Sequence, residues 1–286
     1  PAHMEAFESL EGIAREKADI VAGLMPGGAA ILPADVLTID ILVQAALAKG
    51  ATIVGFGETA DAFRLTALEM HHDVTVIQAR LRGAPAVLRL NTLGRHFAVN
   101  AMGVLAAVEA LSGDPTRAAI DLFRWQPPAG RGRRETISLD PADTRAYFEL
   151  IDDAYNANPA SMAAALEVLA ASDPQQRLGQ GARRIAILGD MLELGREEAQ
   201  CHAQLAQNMH LLTVDVVHCV GPRMRACYEA LPATIRGRWV PEAEELASGL
   251  GELVAAGDRV LIKGSLGSKV SMIVDLIRNL GHRSQP

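Results

Sequence analysis

The chain has 286 residues, 49% of them hydrophobic and 21% charged, which suits one large or two ordinary domains at roughly 100 to 200 residues each and excludes disordered, collagen-like and low-complexity architectures. Lys and Arg number 27 against 34 Asp and Glu, a net charge of -7, so nucleic acid is not an expected partner. Cys201, Cys219 and Cys227 are the three cysteines and form no CxxC pair, which argues against a disulfide framework or a thiolate zinc site and fits a reducing cytoplasm.

No stretch reaches the roughly 18 to 20 uninterrupted apolar residues of a membrane span. The first residues carry neither the basic start nor the apolar run of a signal peptide. The chain begins at Pro1 rather than Met, so a processed chain or a piece of a longer one is expected. From residue 17 onward, β-rich runs alternate with amphipathic helices. Strands are expected at 29–31, 52–56, 74–78 and 86–90. A helix at 97–111 carries Val104, Val108 and Leu111 at helical spacing, and a second follows at 115–123. The stretch WQPPAGRGRR at 125–134 then crowds prolines, glycines and arginines together and reads as a domain linker, with a hinge expected at Gly130-Arg131-Gly132. Beyond it come strands at 134–139 and 147–152 and a helix from Pro159 with Met162, Leu166 and Leu169 on one face. Strands at 184–188, 214–220 and 259–263 alternate with helices at 198–209, 243–255 and 269–280. Such alternation predicts an α/β fold, with largely parallel sheet and helices on both faces.

In open parallel sheets the working residues gather at the carboxyl ends of the strands. The strand ending at Asp152 runs into Asp153, Tyr155, Asn156, Asn158 and Ser161. One helix cap needs one such residue, so this cluster reads as functional. GDMLELG at 189–195, followed by His202, divides evenly between capping and substrate contact. Lys263-Gly264-Ser265 ends another strand with a cation and a hydroxyl ahead of helix amides, an arrangement that suits an anion. LGRHFAVN at 93–100 opens a helix with Arg, His and Asn that could reach a nucleotide or merely cap. His3 and Lys17 are, on ordinary grounds, a structural imidazole and a solvated amine. GFGETA at 55–60 fits GxGxxA, but the position about 20 residues on offers no acid, and residues 63–69 read equally well as a strand. A nicotinamide cofactor is therefore set aside, and no G-x-x-x-x-G-K-[ST] phosphate loop occurs.

Taken in order, PAHMEAF, the lysine of AREKADI, LGRHFAVNA, GRGRR, DDAYNANPASM, ILGDMLELG with its following His, and IKGSLGSKV resemble the Mur ligase family over nearly the whole chain. The resemblance implies that residues 1–133 are the remainder of a central, ATPase-type α/β domain and 134–286 a Rossmann-like C-terminal α/β domain. It also implies a cytoplasmic, monomeric ligase of peptidoglycan synthesis that joins D-alanyl-D-alanine to UDP-N-acetylmuramoyl-tripeptide with ATP and Mg2+. Carried over by position, His3 and a carbamate on Lys17 would hold magnesium and serve catalysis. Asn100 would lie at the adenine, Arg131 at the phosphates and Asp153 at the ribose, with Tyr155, Asn156 and Asn158 lining the nucleotide cleft. Ser161, Asp190, Glu193, Lys263 and Ser265 are the substrate-side candidates. The family's N-terminal UDP-sugar domain and phosphate loop do not precede Pro1, so the chain alone is expected to be inactive, and Phe97 stands where related ligases often carry a polar residue. A non-catalytic ligand- or partner-binding fragment, or another Mur-type or folylpolyglutamate-type ligase, is the alternative.

Overall fold

The computed structural model describes residues 9–71, 73–140, 142–172 and 182–280. His3 lies outside them. The chain separates into two compact units, one of residues 6–126 and one holding residues 127–286; the division falls seven residues ahead of the expected start at 134. No described helix is long and apolar enough to cross a membrane.

The first unit opens with α1 (Leu10–Ala18), capped by Ser9, whose Oγ accepts from the Gly12 amide at 3.0 Å. There follow β1 (Ala29–Pro33), α2 (Ile39–Ala48), β2 (Thr52–Gly57), β3 (Phe63–His71), β4 (Val74–Leu81), β5 (Ala84–Leu90), α3 (Arg95–Ala110) and α4 (Pro115–Asp121). The sheet order is β1-β2-β3-β4-β5. Only β1, β2 and the start of β3 run parallel; β3, β4 and β5 form an antiparallel meander. This corrects the expectation of a largely parallel sheet for this unit. The cause is local: Arg82 and Gly83 are the two residues between paired Leu81 and Ala84, with φ of 50° and 85°, and a two-residue turn with both φ positive closes a hairpin. α3 forms where its periodicity predicts, but on a different face. Ala98, Met102 and Leu105 are buried against Phe63, Ile77 and Leu90, whereas Val104 and Leu111 are exposed. Small alanines let the helix approach the sheet, while Val104 and Leu111 are left to solvent and Val108 is half-buried.

The second unit contains β6 (Arg133–Ser138), β7 (Tyr147–Asp153), α5 (Pro159–Ala171), β8 (Arg184–Gly189), α6 (Glu198–Leu205), β9 (Val216–Val220), α7 (Met224–Ala230), β10 (Arg236–Val240), α8 (Ala243–Ala247), α9 (Leu250–Leu253), β11 (Arg259–Lys263) and α10 (Ser271–Leu280). Its order is β10-β9-β8-β11-β7-β6, parallel throughout except for β6 against β7. Every residue of β11 is buried, as a strand covered on both faces requires. Met162, Leu166 and Leu169 of α5 are fully buried, the face their spacing predicts. The single helix expected at 243–255 is two short ones, and α7 and β10 were not foreseen. The chain leaves β7 for β8, β9 and β10 on one side and returns with β11 between β7 and β8. The carboxyl ends of β7, β11 and β8 therefore lie side by side.

The β9–β10 edge depends on His218. Its ring is buried, Nδ1 accepts from the Arg238 amide at 3.0 Å, and a Cβ on Gly237 would stand 2.7 Å from that nitrogen. Burial, helped by the Arg238 and Arg183 guanidinium groups, lowers its pKa from 6.5 to about 4. The folded state thus binds fewer protons than the unfolded state between those values. Stability present above pH 6.5 is expected to fall by about 3 kcal/mol in all as pH drops through 4. Urea melts at pH 7 and 4.5 check this: His218→Gln should flatten the acid limb, and an unchanged limb would remove His218 as its cause.

Candidate active site

Register sets the first pair. Lys263 at the end of β11 is the partner of Asp153 at the end of β7. Lys263 is only 2% exposed, and its ammonium donates to Asp153 Oδ2 at 2.8 Å and to the Asn156 carbonyl at 2.9 Å. Burial raises the Asp153 carboxyl above the usual range, and Lys263 opposes that rise, as does Arg131 more weakly. Neighbouring side chains on a strand alternate between faces, so Asp152 does a different job. Its Oδ2 accepts from the Gly130 amide at 2.9 Å and from Arg278 at 2.8 Å, and Arg278 also pairs with Glu135. The Gly132 amide donates to the Asp152 carbonyl at 2.8 Å, and the Tyr155 amide donates to the Gly130 carbonyl at 3.1 Å. Gly130 and Gly132 take φ of 76° and 86°, which glycine tolerates without strain. The expected hinge at 130–132 is therefore corrected: this segment is bonded to the end of β7 as part of the second unit. One consequence is that Arg131 stacks over the half-exposed Tyr155 ring at 4.2 Å.

Asn158 and Ser161 form a reciprocal capping box at the start of α5, each side chain accepting from the other residue's amide. Capping accounts for these two, and the Asn156 side chain accepts from the Ala157 amide. Ser265 joins three loops: its Oγ accepts from the Leu192 amide at 3.0 Å and donates to the Ala157 carbonyl at 3.4 Å, while its own amide donates to the Asp190 carbonyl. Asp190 is buried, accepts from the Met224 amide at 2.8 Å and faces Arg223, which in turn pairs with Glu198. Burial raises its carboxyl above the usual range, against the hydrogen bonds from the Met224 and Arg223 amides. His202 is fully buried; Nε2 accepts from the Met191 amide at 3.0 Å and Nδ1 donates to the Glu198 carbonyl at 2.7 Å. An amide only donates and a carbonyl only accepts, which fixes the neutral Nδ1–H tautomer. Glu193, exposed with φ of 62°, is the outward carboxylate of this loop. Asp190, Lys263 and Ser265 thus turn inward and shape the edge, whereas Tyr155, Arg131 and Glu193 face out. Sequence reasoning missed Arg278 and Arg223, because the carboxylates they meet are set by tertiary folding, 126 residues away for Arg278.

In the first unit, Lys17 is exposed in the last turn of α1 and pairs with Glu16 at 2.9 Å. Asn100 is exposed on α3. Near it, His96 lies against Phe97, and Phe97 meets Trp125 edge-on at 5.3 Å. The GFGETA turn leads into β3 rather than a helix. Its anion is the protein's own: Asp35 accepts from the Glu58 and Thr59 amides and the Thr59 hydroxyl, and Gly57 lacks the Cβ that would displace it. Burial pushes the Asp35 carboxyl up, but those hydrogen bonds outweigh it and leave it below its ordinary value. Among the described residues no three His, Cys, Asp or Glu come together as a metal site.

Comparison with known proteins matches residues 1–108 to the Mur ligase middle domain and 132–266 to the Mur ligase glutamate ligase domain. The UDP-N-acetylmuramoyl-tripeptide–D-alanyl-D-alanine ligase of Escherichia coli is 31% identical over 285 residues, covering 98% of this chain and 58% of its own. That of Rickettsia prowazekii is 29% identical over 276 residues, covering 96% and 58%. A crystal structure of MurF from Acinetobacter baumannii superposes with a TM-score of 0.78 at 27% identity, covering 96% of this chain and 57% of that one. The chain therefore spans somewhat over half the length of the relatives it matches.

Proposed function

Because the chain belongs to the Mur ligase family, we propose that it is part of an ATP-dependent amide-bond ligase that adds D-alanyl-D-alanine to UDP-N-acetylmuramoyl-tripeptide during peptidoglycan precursor synthesis, as a monomer in the cytoplasm. The observation that carries this reading is the group at the end of β7, where the Asp153 carboxylate stands beside the half-exposed Tyr155 ring with Arg131 stacked on it. That donor set suits a nucleotide: an acceptor for ribose hydroxyls, a flat apolar surface, and a guanidinium whose N–H fork matches phosphate oxygens. Asn100 in the first unit is the candidate for the adenine. ATP supplies the γ-phosphoryl group that turns the tripeptide carboxylate into an acyl phosphate with release of ADP, after which the dipeptide amine forms the amide bond and phosphate leaves. Glu193 is the outward carboxylate suited to the dipeptide ammonium. Asp190, Ser161 and Ser265 act on the dipeptide through the loops they hold. Lys17 is a cation as it stands and fits magnesium only as a carbamate, whose oxygen would be a ligand for a hard metal alongside His3; no step is routed through that ion.

Asp153→Asn in the full-length protein tests the assignment, because an alanine would leave the buried Lys263 ammonium unpaired and cost stability. Asparagine keeps an acceptor for Lys263 and loses the charge. The KM for ATP is expected to rise about tenfold, with kcat changed much less. An unchanged KM removes Asp153 from the nucleotide site.

A further inference from the structure

We infer that Lys263 is a positioning residue for nucleotide binding, its buried ammonium holding the Asp153 carboxylate ionised and aimed at the carboxyl edge of the sheet. This rests on the nucleotide reading above, and it reassigns a lysine whose sequence context pointed to a substrate anion. The geometry is specific. Lys263 is 2% exposed, so an incoming anion does not reach it, and its ammonium is already shared between Asp153 Oδ2 and the Asn156 carbonyl. The second of these bonds fixes the backbone between Tyr155 and Asn158, which carries the stacking ring. One side chain on β11 thereby sets both the acceptor and the flat surface that meet the ligand on β7.

The charges facing Asp153 make the pair necessary. Asp152, next along β7, repels a second negative charge, although Arg278 and the Gly130 amide neutralise much of it. Arg131 assists from the 127–132 segment but spends its plane on Tyr155. Burial already raises the Asp153 carboxyl, and Lys263 is the largest influence working the other way. Without it, Asp153 takes up a proton nearer neutrality and becomes a donor where ribose hydroxyls need an acceptor.

The experiment compares the full-length wild type, Lys263→Met, Lys263→Arg and Asp153→Asn, measuring ADP affinity from pH 5.5 to 8.5 and following the Asp153 carboxyl by carbon-13 NMR. Wild-type affinity should be flat. Lys263→Met should weaken toward about tenfold per pH unit below a raised carboxyl pKa, Lys263→Arg should restore most of the flat profile, and Asp153→Asn should be weak but flat. A purely structural lysine would lower affinity equally at every pH, which overturns the proposal. If Lys263→Met does not fold, the titration in wild type and Lys263→Arg decides: a carboxyl protonated at pH 7 in the wild type refutes it. If the wild type binds no ADP, the nucleotide reading fails, while the carboxyl titration still decides the role of Lys263.

Discussion

Lys17→Ala in the full-length protein is expected to lose at least about a hundredfold in activity while melting like the wild type, since loss of a metal ligand or its support costs on this scale. The side chain is 65% exposed and pairs with neighbouring Glu16. Exposed pairs of that kind contribute little to stability, so a loss of activity cannot be ascribed to unfolding. Carbamylation joins the neutral amine to carbon dioxide with release of a proton and converts the cation to a carboxylate-like group. Acetate or formate should therefore restore part of the activity of the alanine variant, and carbon-13 dioxide should give a carbamate signal in the wild type alone. Full activity in the variant, or neither rescue nor signal, would end the carbamate assignment.

Gly221→Ala is expected to destabilise the second unit by about 3 kcal/mol, the sum of backbone strain and a displaced buried carboxylate. Gly221 has φ of 111°, and an added Cβ would lie 2.6 Å from Asp190 Oδ2. Asp190 has little freedom to yield, because it receives the Met224 amide and faces Arg223. Trp239 donates from its indole to the Gly221 carbonyl at 2.9 Å, so its fluorescence reports on the site during urea unfolding. A midpoint equal to that of the wild type would show that neither the strain nor the Asp190 contact contributes.

Much of the second unit was legible in the sequence. The apolar runs of β8 and β11 and the 162–166–169 stripe of α5 are strong periodic signals, and each lies within a window short enough for local preference to decide it. The strings that mark the family were equally plain. The meander of the first unit had a readable cue in Arg82-Gly83, masked by the general alternation of strands and helices. α7 and β10 gave little signal, being short, with β10 carrying two arginines and a glycine in five residues.

What the tertiary structure alone decided is the division of labour among residues of one type. Asp152 and Asp153 are adjacent acids in the sequence, yet one anchors the entry segment and the other faces the site, because strand alternation sends them to opposite sides and only the sheet order brings Arg278 to one and Lys263 to the other. The 110 residues between Asp153 and Lys263 exceed any window over which propensity or periodicity acts. Their contact exists because β11 inserts between β7 and β8, and burial then makes the unpaired alternative costly. Sequence settled which elements form and which segments carry polar groups at strand ends; the order of strands settled which of those groups meet, and hence which face a ligand and which only hold the others in place.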